Sequence, residues 1–246
     1  MIGTLGIPVL NRGDLLMRCV LSVDHPVEHL LIINNGNDEG VIRTAQQIME
    51  RQIENEACFE NIRVEKHRNL GCGPSWNYIM KNSPGPWLLV GSDVKLLPGS
   101  LGLLDATLEK NPDAGIICGN GYNAFLMTES GLKTAGYLDE NFYPAYFEDC
   151  DHFRRVALSG TKAVGVPGFQ IIHGEAPNWG SSTVKSDANY NKKNGITYQS
   201  NQGYYVKKWG GLPGKETFKT PFNKDVPMTW WELDPEMRKK NDVWNT

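Results

Sequence analysis

The sequence predicts an α/β fold in which a mostly parallel, Rossmann-like central sheet is flanked by helices. Two observations support this prediction. Short apolar runs of strand length alternate four times with segments of helical period, and the connections between them are short. Polar residues follow these runs, as they do where parallel strands end at one edge of a sheet. A doubly wound sheet is favoured because parallel strands need a crossover, which is usually a helix.

The first 120 residues supply the elements of this sheet in order. The apolar runs predict strands over residues 2–10, 29–35, 61–66, 86–91 and 114–120. Segments with apolar residues on one face predict helices over residues 14–23, 41–57, 73–82 and 101–110. Asp14 is expected to cap the first helix. The second strand, HLLIINN, is continuously apolar, which is typical of a strand covered on both faces.

After residue 120 the pattern changes. Residues 147–160 predict a helix with Phe153, Val156 and Ala157 facing inward, and residues 162–173 predict a pair of strands joined by a Pro-Gly turn. Beyond Glu175 the chain is rich in Asn, Lys, Gly, Tyr and Trp, and its periodicity nearly vanishes. This composition favours loops and short helices, packed on the sheet by aromatic residues such as Trp209.

Composition and charge exclude several classes of protein. The 246 residues include 25 Lys and Arg against 28 Asp and Glu, so no basic excess would drive binding to nucleic acid. No apolar run approaches the roughly 20 residues of a membrane helix, and the N-terminal residues lack the pattern of a signal peptide. The five cysteines form no CxxC pair, and their odd number and wide spacing argue for a reducing compartment. We therefore expect a soluble, cytoplasmic protein without a nucleic-acid partner or a transmembrane segment.

Two side chains at predicted strand ends could bind a metal ion or a phosphate. Asp93 ends the tripeptide GSD of residues 91–93, where a carboxylate could hold a divalent ion that bridges a diphosphate. A lone aspartate in this position more often caps the backbone of a turn. His173 ends another apolar strand, ahead of the GSS of residues 180–182. Such a histidine is often hydrogen-bonded at the edge of the core, and by itself it does not define a metal site.

Carboxylates and glycines mark the starts of two predicted helices. Glu148 and Asp149 open one of them, with Asp151 close behind, and a carboxylate there could remove a proton from an attacking hydroxyl. Capping and helix-dipole preferences place acidic residues at the same positions. Gly71 and Gly73 precede the other helix and could bring backbone amides close to a phosphate. The chain contains neither a GxGxxG motif nor a P-loop, so this signal is weak alone.

Several blocks of the sequence, taken in their order along the chain, resemble those of the family-2 glycosyltransferases of the GT-A fold. The matching blocks are IPVLNRGDLLMRCVLSV, LLIINNGNDEG, NLGCGPSWN, WLLVGSDVKLLPGSL, and IIH followed by GSS. The most specific block is NAFLMTESGLKTAGYLDENFYPAYFEDCDHFRRVALSG, which matches the family pattern G-x-x-D-E-x-F…E-D-x-D…R…G. The resemblance covers residues 1–185 and implies one nucleotide-sugar-binding and catalytic domain. Residues 186–246 would form a C-terminal extension packed on the same domain, because a K-W-G-G segment also follows the catalytic domain in some similar transferases.

The resemblance implies an inverting hexosyl- or deoxyhexosyltransferase with a divalent metal ion. Asp149 would be the catalytic base, supported by Glu148. Asp93 would contact Mn²⁺ or Mg²⁺, and His173 would be a late ligand of the metal or the diphosphate. Gly91 replaces the first aspartate of the family's DxD motif, so metal binding is expected to be weaker than with two aspartates.

The resemblance also implies which side chains bind a nucleoside-diphosphate sugar. They are Pro8, Asn11, Asn34, Arg68, Asn69 and Ser92. Asn34 stands where the family usually has a base-reading aspartate, which leaves UDP, GDP and dTDP open as the nucleotide. The acceptor would be a hydroxyl of a glycan or another molecule. Lys185, Lys207 and Lys208 are further basic candidates, although a solvated face is the simpler interpretation for at least one lysine of the 207–208 pair.

Two other functions fit the same pattern less well. A catalytically inactive protein that binds a sugar nucleotide or a glycan could share the fold and would explain Gly91. It would not need Asp149 or His173. A nucleotidyltransferase should carry a glycine-rich, basic loop after its first strand, and IPVLNRGD contains none.

Overall fold

A computed structural model of the chain describes residues 1–176, 180 and 182–241. Its strands are β1 (Ile2–Val9), β2 (Val27–Asn34), β3 (Phe59–Lys66), β4 (Trp87–Val90), β5 (Val94–Leu96), β6 (Ile116–Asn120), β7 (Ala124–Met127), β8 (Ala163–Gly165) and β9 (Ile171–His173). Seven of them form one sheet in the order β3-β2-β1-β4-β7-β6-β8, and β5 pairs with β9. The strands from β3 to β4 are parallel, whereas β7 is antiparallel to both its neighbours. The predicted mostly parallel sheet is confirmed.

Helices connect and extend this sheet. They are α1 (Gly13–Leu21), α2 (Glu39–Met49), α3 (Cys72–Asn82), α4 (Ser100–Lys110), α5 (Glu129–Thr134), α6 (Glu148–Leu158), α7 (Ser182–Lys185), α8 (Ala188–Trp209) and α9 (Pro235–Asn241). Short 3-10 turns occupy Glu56–Cys58 and Pro221–Asn223. Asp14 does not cap α1 as expected. It lies in the first turn, because the chain enters the helix through Arg12 in a left-handed conformation.

The sheet is covered on both faces, as the continuous apolar run of β2 predicted. Along β2, Leu30 and Ile32 pack into one apolar cluster, and Leu31 and Ile33 pack into the other. The first cluster includes the buried faces of α1, α2 and α4, and the second includes those of α3 and α6. Alternate side chains of a strand point to opposite faces, so each face receives half of the run.

The predicted strand pair at residues 162–173 is wrong in its partners. β8 pairs in parallel with β6, and β9 pairs antiparallel with β5. The two strands thus belong to different sheets. The turn between them carries the chain from the edge of the large sheet to the end of β4, which local sequence cannot reveal.

The inward face of α6 also differs from the expectation. Phe153 is 61% exposed, whereas Asp151 and Arg155 are fully buried. The Arg155 Nε donates to Asp151 Oδ2 at 2.8 Å, so the two charges compensate each other inside the protein. Val156 is buried as expected, whereas Ala157 is exposed, so a search for apolar residues finds only part of the inward face when an ion pair is buried there.

The chain after residue 186 is more regular than its composition indicated. α8 has 22 residues, and its buried face includes the polar residues Asn201 and Lys208 as well as Tyr204 and Trp209. A third apolar cluster joins this face to Phe142 and neighbouring aromatic residues. Polar side chains on the buried face hid the helical period. None of the described helices is both long and apolar enough to span a membrane.

Candidate active site

A cavity of about 290 Å³ opens where β1 and β4 end and where α3 and α6 begin. Most of the side chains that the sequence singled out line it, namely Pro8, Asn69, Ser92, Asp93, Glu148, Asp149 and His173. The carboxyl ends of parallel strands are where ligands bind in open α/β sheets. The cavity therefore joins the two predicted centres, the Asp93–His173 pair and the Glu148–Asp149 pair.

The register of β5 on β9 brings Asp93 and His173 together. Val94 is paired with His173, and the His173 Nε2 lies 3.3 Å from Asp93 Oδ1. The other carboxylate oxygen accepts a hydrogen bond from the backbone N–H of Ser182 at 2.8 Å. The Asp93 carbonyl accepts from Arg18 Nη2 at 2.7 Å, which also holds the turn in place.

Two opposing effects set the ionisation of Asp93. Burial favours the neutral acid, but the hydrogen bond and charge of His173 and the Ser182 amide outweigh it and lower the pKa of Asp93. The buried carboxylate is thus kept negative next to an imidazole.

The ligand atoms of this pair suit a hard divalent ion that also binds other ligands besides the protein. Asp93 and His173 offer a carboxylate oxygen and an imidazole nitrogen, and Mn²⁺ or Mg²⁺ would complete its shell with phosphate oxygens and water. No group of three or more His, Cys, Asp or Glu side chains that could hold a metal occurs among residues 1–176, 180 and 182–241. At Gly91, a Cβ atom would lie 3.3 Å from Asp93 Oδ1. The glycine therefore leaves that oxygen uncrowded.

Glu148 and Asp149 occupy the first turn of α6, after an unusual stretch of backbone. Tyr146 and Phe147 both have positive φ, at 75° and 73°. Such conformations cost about 1–3 kcal/mol each for residues with a Cβ atom. Asp149 is half-buried, and its Oδ1 accepts a hydrogen bond from the backbone N–H of Cys150 at 2.8 Å.

Glu148 is buried and differs chemically from its neighbour. Burial, assisted by the negative charge of Asp149, raises the pKa of Glu148 to about 8, although a hydrogen bond with Cys72 opposes the shift. Glu148 Oε2 has no hydrogen-bond partner within the described part of the chain. Near neutral pH Glu148 is therefore a neutral acid next to Asp149.

Three of the predicted nucleotide-binding residues lie outside the cavity lining. Asn34 lines a separate groove of about 390 Å³ beside α2 and β3, and its Oδ1 accepts from Gly36 N at 3.0 Å. Asn11 Nδ2 donates to the Thr183 carbonyl at 2.7 Å. Arg68 is exposed and is absent from the lining of either space.

Other side chains line the cavity without having been predicted. Asn35, next to Asn34, lines it and bridges the Ser75 hydroxyl and the Leu70 amide. Trp76 lines it from α3. What could have identified Asn35 and Trp76 in the sequence is their position inside two blocks already singled out, LLIINNGNDEG and NLGCGPSWN. A strand-end Asn and a helical Trp carry no chemistry that a pattern alone would flag.

Tyr122 is a further unpredicted lining residue, and its hydroxyl is held in one orientation. It hydrogen-bonds His152 Nδ1 at 2.6 Å, and His152 Nε2 contacts the Gly136 carbonyl at 2.9 Å. Burial lowers the pKa of His152 to about 3, so the imidazole is neutral. Its Nε2 must then carry the proton donated to Gly136, and its Nδ1 accepts from Tyr122.

Gly71, the glycine immediately before α3, serves close packing, whereas a Cβ at Gly73 inside the helix would meet its nearest atoms at 3.5 Å. A Cβ at Gly71, where φ is +88°, would lie 2.7 Å from the Pro144 carbonyl oxygen. The amide of Gly71 donates to Asn69 Oδ1, and that of Cys72 donates to Pro144 O. These two amides are therefore engaged within the protein, and the turn fastens α3 to the segment before Glu148.

The lysine pair of the extension does not face the cavity. Lys208 is fully buried, and its Nζ lies 2.7 Å from both Asp139 Oδ2 and Asp151 Oδ1. Lys207 is mostly exposed and lies 3.9 Å from Asp234 Oδ2. The expectation that Lys208 assists at a diphosphate is corrected: its charge is used to neutralise two buried aspartates. Ser181 of the GSS block lies outside the described residues.

Comparisons with known proteins support the fold, and each match covers only part of the other protein. No family model matches the chain. A galactofuranosyl glycosyltransferase of Leishmania donovani is 28% identical over 137 residues, which are 49% of this chain and 31% of that protein. The matched segment thus spans less than a third of the relative's length.

Solved structures resemble a larger share of the chain. Residues 1–349 of S. aureus TarS superpose with a TM-score of 0.56 at 11% identity, covering 84% of this chain and 73% of that structure. The Pyrobaculum calidifontis mannosyltransferase PcManGT, in complex with GDP-Man and Mn²⁺, gives 0.57 at 11% identity, covering 80% and 62%. The TarS complex with UDP-GlcNAc gives 0.53 at 14% identity, covering 68% and 56%. The chain has the GT-A fold of these glycosyltransferases, as the sequence predicted.

Proposed function

We propose that this protein is an inverting glycosyltransferase that moves a sugar from a nucleoside-diphosphate donor to a hydroxyl of a glycan or another acceptor. One observation carries the proposal: the Asp93–His173 pair and the Glu148–Asp149 pair line the same cavity at the carboxyl ends of the strands. The first pair suits a diphosphate with its metal ion, and the second suits a hydroxyl that must lose a proton.

Asp149 is the proposed general base. It lies half-buried at the cavity wall, and its Oδ1 is held by the Cys150 amide. As the acceptor oxygen forms its bond to the anomeric carbon, the proton passes to Asp149 and the bond to the diphosphate oxygen breaks. Attack from the face opposite the leaving group inverts the anomeric centre.

Glu148 has a supporting role in this scheme. Its neutral carboxyl next to Asp149 keeps a second negative charge away from the reacting carbon and from the approaching diphosphate. A protonated carboxyl can also donate a hydrogen bond to a substrate oxygen.

Asp93 and His173 are the proposed ligands for a metal ion on the donor diphosphate. A bound Mn²⁺ or Mg²⁺ would supply positive charge to the leaving diphosphate. The lowered pKa of Asp93 supports this role, because an ionised carboxylate is what such an ion requires. The GDP-Man and Mn²⁺ of the mannosyltransferase complex lend further support.

The donor nucleotide is proposed to lie along the ends of β1 and β2, beside Pro8, Asn35 and Asn69. Amide side chains offer both donors and acceptors to a base edge and therefore suit more than one nucleobase. The similar structures hold GDP-Man, UDP-GlcNAc or UDP, which supports a sugar nucleotide of this kind. The galactofuranosyl relative supports a hexosyl group as the one transferred.

A thermal-shift screen of UDP-, GDP- and dTDP-sugars, with and without Mn²⁺, tests the proposal. We expect one donor class to raise the melting temperature, more strongly with the metal. Release of nucleoside diphosphate from that donor, with candidate acceptors, then tests transfer. Failure of every donor to bind contradicts the proposal, and binding without release in any condition favours an inactive sugar-nucleotide-binding protein.

A further inference from the structure

The turn at residues 145–147, which leads into Glu148 and Asp149, is held by contacts from outside the central sheet. Ala145 and Tyr146 line the cavity immediately before Glu148, and Tyr146 and Phe147 are both in left-handed conformations. Two consecutive aromatic residues rarely adopt this backbone without help from the surrounding structure. Whatever holds this turn also sets where Glu148 and Asp149 emerge at the cavity wall.

α8 supplies that hold through three residues on one face, which we call the α8 clamp: Tyr198, Asn201 and Tyr205. Asn201 Nδ2 donates to the Ala145 carbonyl at 2.9 Å and to the Tyr146 carbonyl at 3.2 Å. Asn201 is fully buried, so these two bonds are made away from water. One amide group thus holds the backbone of two consecutive residues of the cavity wall.

The aromatic members of the clamp hold the side chains of the same turn. The Tyr198 ring lies 5.6 Å from that of Tyr146 and 5.0 Å from that of Phe147. The Tyr205 ring lies 5.7 Å from Phe147 on the inner side. These separations are typical of favourable aromatic pairs.

A second set of contacts fixes the start of α6 itself. Lys208 Nζ and Trp209 Nε1, at the end of α8, contact Asp151 Oδ1 at 2.7 Å and 2.8 Å. Asp151 lies in the first turn of α6, two residues after Asp149. α8 therefore contacts the chain on both sides of Glu148 and Asp149. It binds the turn before them and Asp151 after them.

We propose that α8 is a positioning element of the active site, and that Asn201 sets the placement of Glu148 and Asp149 through the carbonyls of Ala145 and Tyr146. This inference rests on the proposed function for its catalytic consequence. It assigns a task to the extension: α8 completes the geometry of a site whose reacting groups all come from the chain before it. Asn201 itself is absent from the cavity lining and acts only through the turn.

The variant Asn201→Leu tests the inference, since leucine is similar in size but has no amide to donate. Gln199→Leu is the matched control, because it removes an amide from an exposed position of α8. We expect faster hydrogen–deuterium exchange in the peptide spanning residues 143–152 for Asn201→Leu and no change for the control. Turnover should fall about tenfold or more, with the dissociation constant of the donor within about twofold, because a small misplacement of a reacting group is costly.

Tyr198→Ala provides a second variant in case Asn201→Leu fails to fold. Tyr198 is 40% exposed, so its truncation should be tolerated, and we expect the same exchange change and a smaller loss of turnover. Unchanged exchange in that peptide overturns the inference, as does wild-type turnover despite faster exchange. A loss of turnover matched by an equal loss of donor affinity also overturns it. If the wild type releases no nucleoside diphosphate, the proposed function fails, and exchange alone still decides whether α8 holds the turn.

Discussion

The imidazole Nε2 of His173 lies 3.3 Å from Oδ1 of Asp93. The two residues come from distant parts of the chain, and they meet because β9 pairs with β5 in the register that sets His173 opposite Val94. The hydrogen bond that holds them also lowers the pKa of Asp93 against the effect of burial. The pairing of β5 with β9 thus brings the two proposed metal ligands together and favours the ionised form of Asp93.

Asp93→Ala is expected to raise the metal concentration needed for donor binding by about tenfold or more, because one of the two proposed metal-binding side chains is lost. Calorimetric titration of the donor at several Mn²⁺ concentrations measures this. Asp113→Ala, at an exposed aspartate paired with Lys162, is the control and should leave the metal dependence unchanged. Equal metal dependence in Asp93→Ala and the wild type would remove Asp93 from the site.

Asp149→Asn is expected to lower transfer by about 10²-fold or more while donor affinity stays nearly unchanged, because the amide cannot accept the hydroxyl proton. Steady-state release of nucleoside diphosphate, together with donor titration, separates the two effects. Glu129→Gln alters an exposed carboxylate in the first turn of α5 and serves as the control. Wild-type turnover in Asp149→Asn would show that another group is the base.

The buried carboxyl of Glu148 should make stability depend on pH. In the unfolded chain it loses its proton near its ordinary pKa of 4.5, whereas in the folded protein burial keeps the proton until about pH 8. The folded state therefore binds more protons in this window, and the contribution of Glu148 to the free energy of unfolding falls as pH rises towards 8.

Glu148→Gln removes this contribution, because an amide stays neutral at every pH. We expect its free energy of unfolding to fall less than that of the wild type between about pH 5 and pH 8. Urea unfolding at several pH values in this window measures the difference. Parallel pH profiles for the two proteins would argue that Glu148 is already ionised in the folded state.

Lys208→Met should destabilise the protein by about 3–5 kcal/mol, because it leaves Asp139 and Asp151 buried without their shared cation. Lys207→Met is a matched control one residue earlier, where the lysine is mostly exposed and 3.9 Å from Asp234. That change should cost less than about 0.5 kcal/mol. Urea unfolding of both variants tests the expectation, and equal effects would contradict the assignment of Lys208 as a buried partner.

Gly71→Ala should weaken donor binding, because a Cβ there would lie 2.7 Å from the Pro144 carbonyl and displace a turn that lines the cavity. Gly99→Ala is the control: its φ is similar at +81°, yet nothing lies within 4 Å of the added atom. Gly71 has ψ near 174°, a region essentially reserved for glycine, whereas Gly99 is in the left-handed region with ψ near −9°, so backbone strain and the clash act together at Gly71. Donor titration should show reduced affinity for Gly71→Ala alone, and equal affinities would contradict the packing role of Gly71.

The elements that local pattern predicted best are those that bury a mainly apolar face. β1, β2 and β4 and the helices between them appear as runs or stripes in the sequence, because each buries a continuous apolar surface against the sheet. The polar residues at their ends were identified for the same reason, since the strand ends could be located. The errors cluster where polar groups are buried. α6 was predicted as a helix, but it also turns Asp151 and Arg155 inward, and α8 turns Asn201 and Lys208 inward, which hid its helical period.

By itself, the sequence determined the fold class, and most of the side chains that it singled out line the cavity, because both follow from local pattern and from the order of the blocks. The division at residue 185 stays a prediction. Only the tertiary structure decided that β9 pairs with β5 and that α8 packs on the turn before Glu148. Strand partners and buried charge pairs depend on contacts between distant residues, and their free energy comes from removing paired groups from water together. No short segment of sequence contains both partners of such a contact.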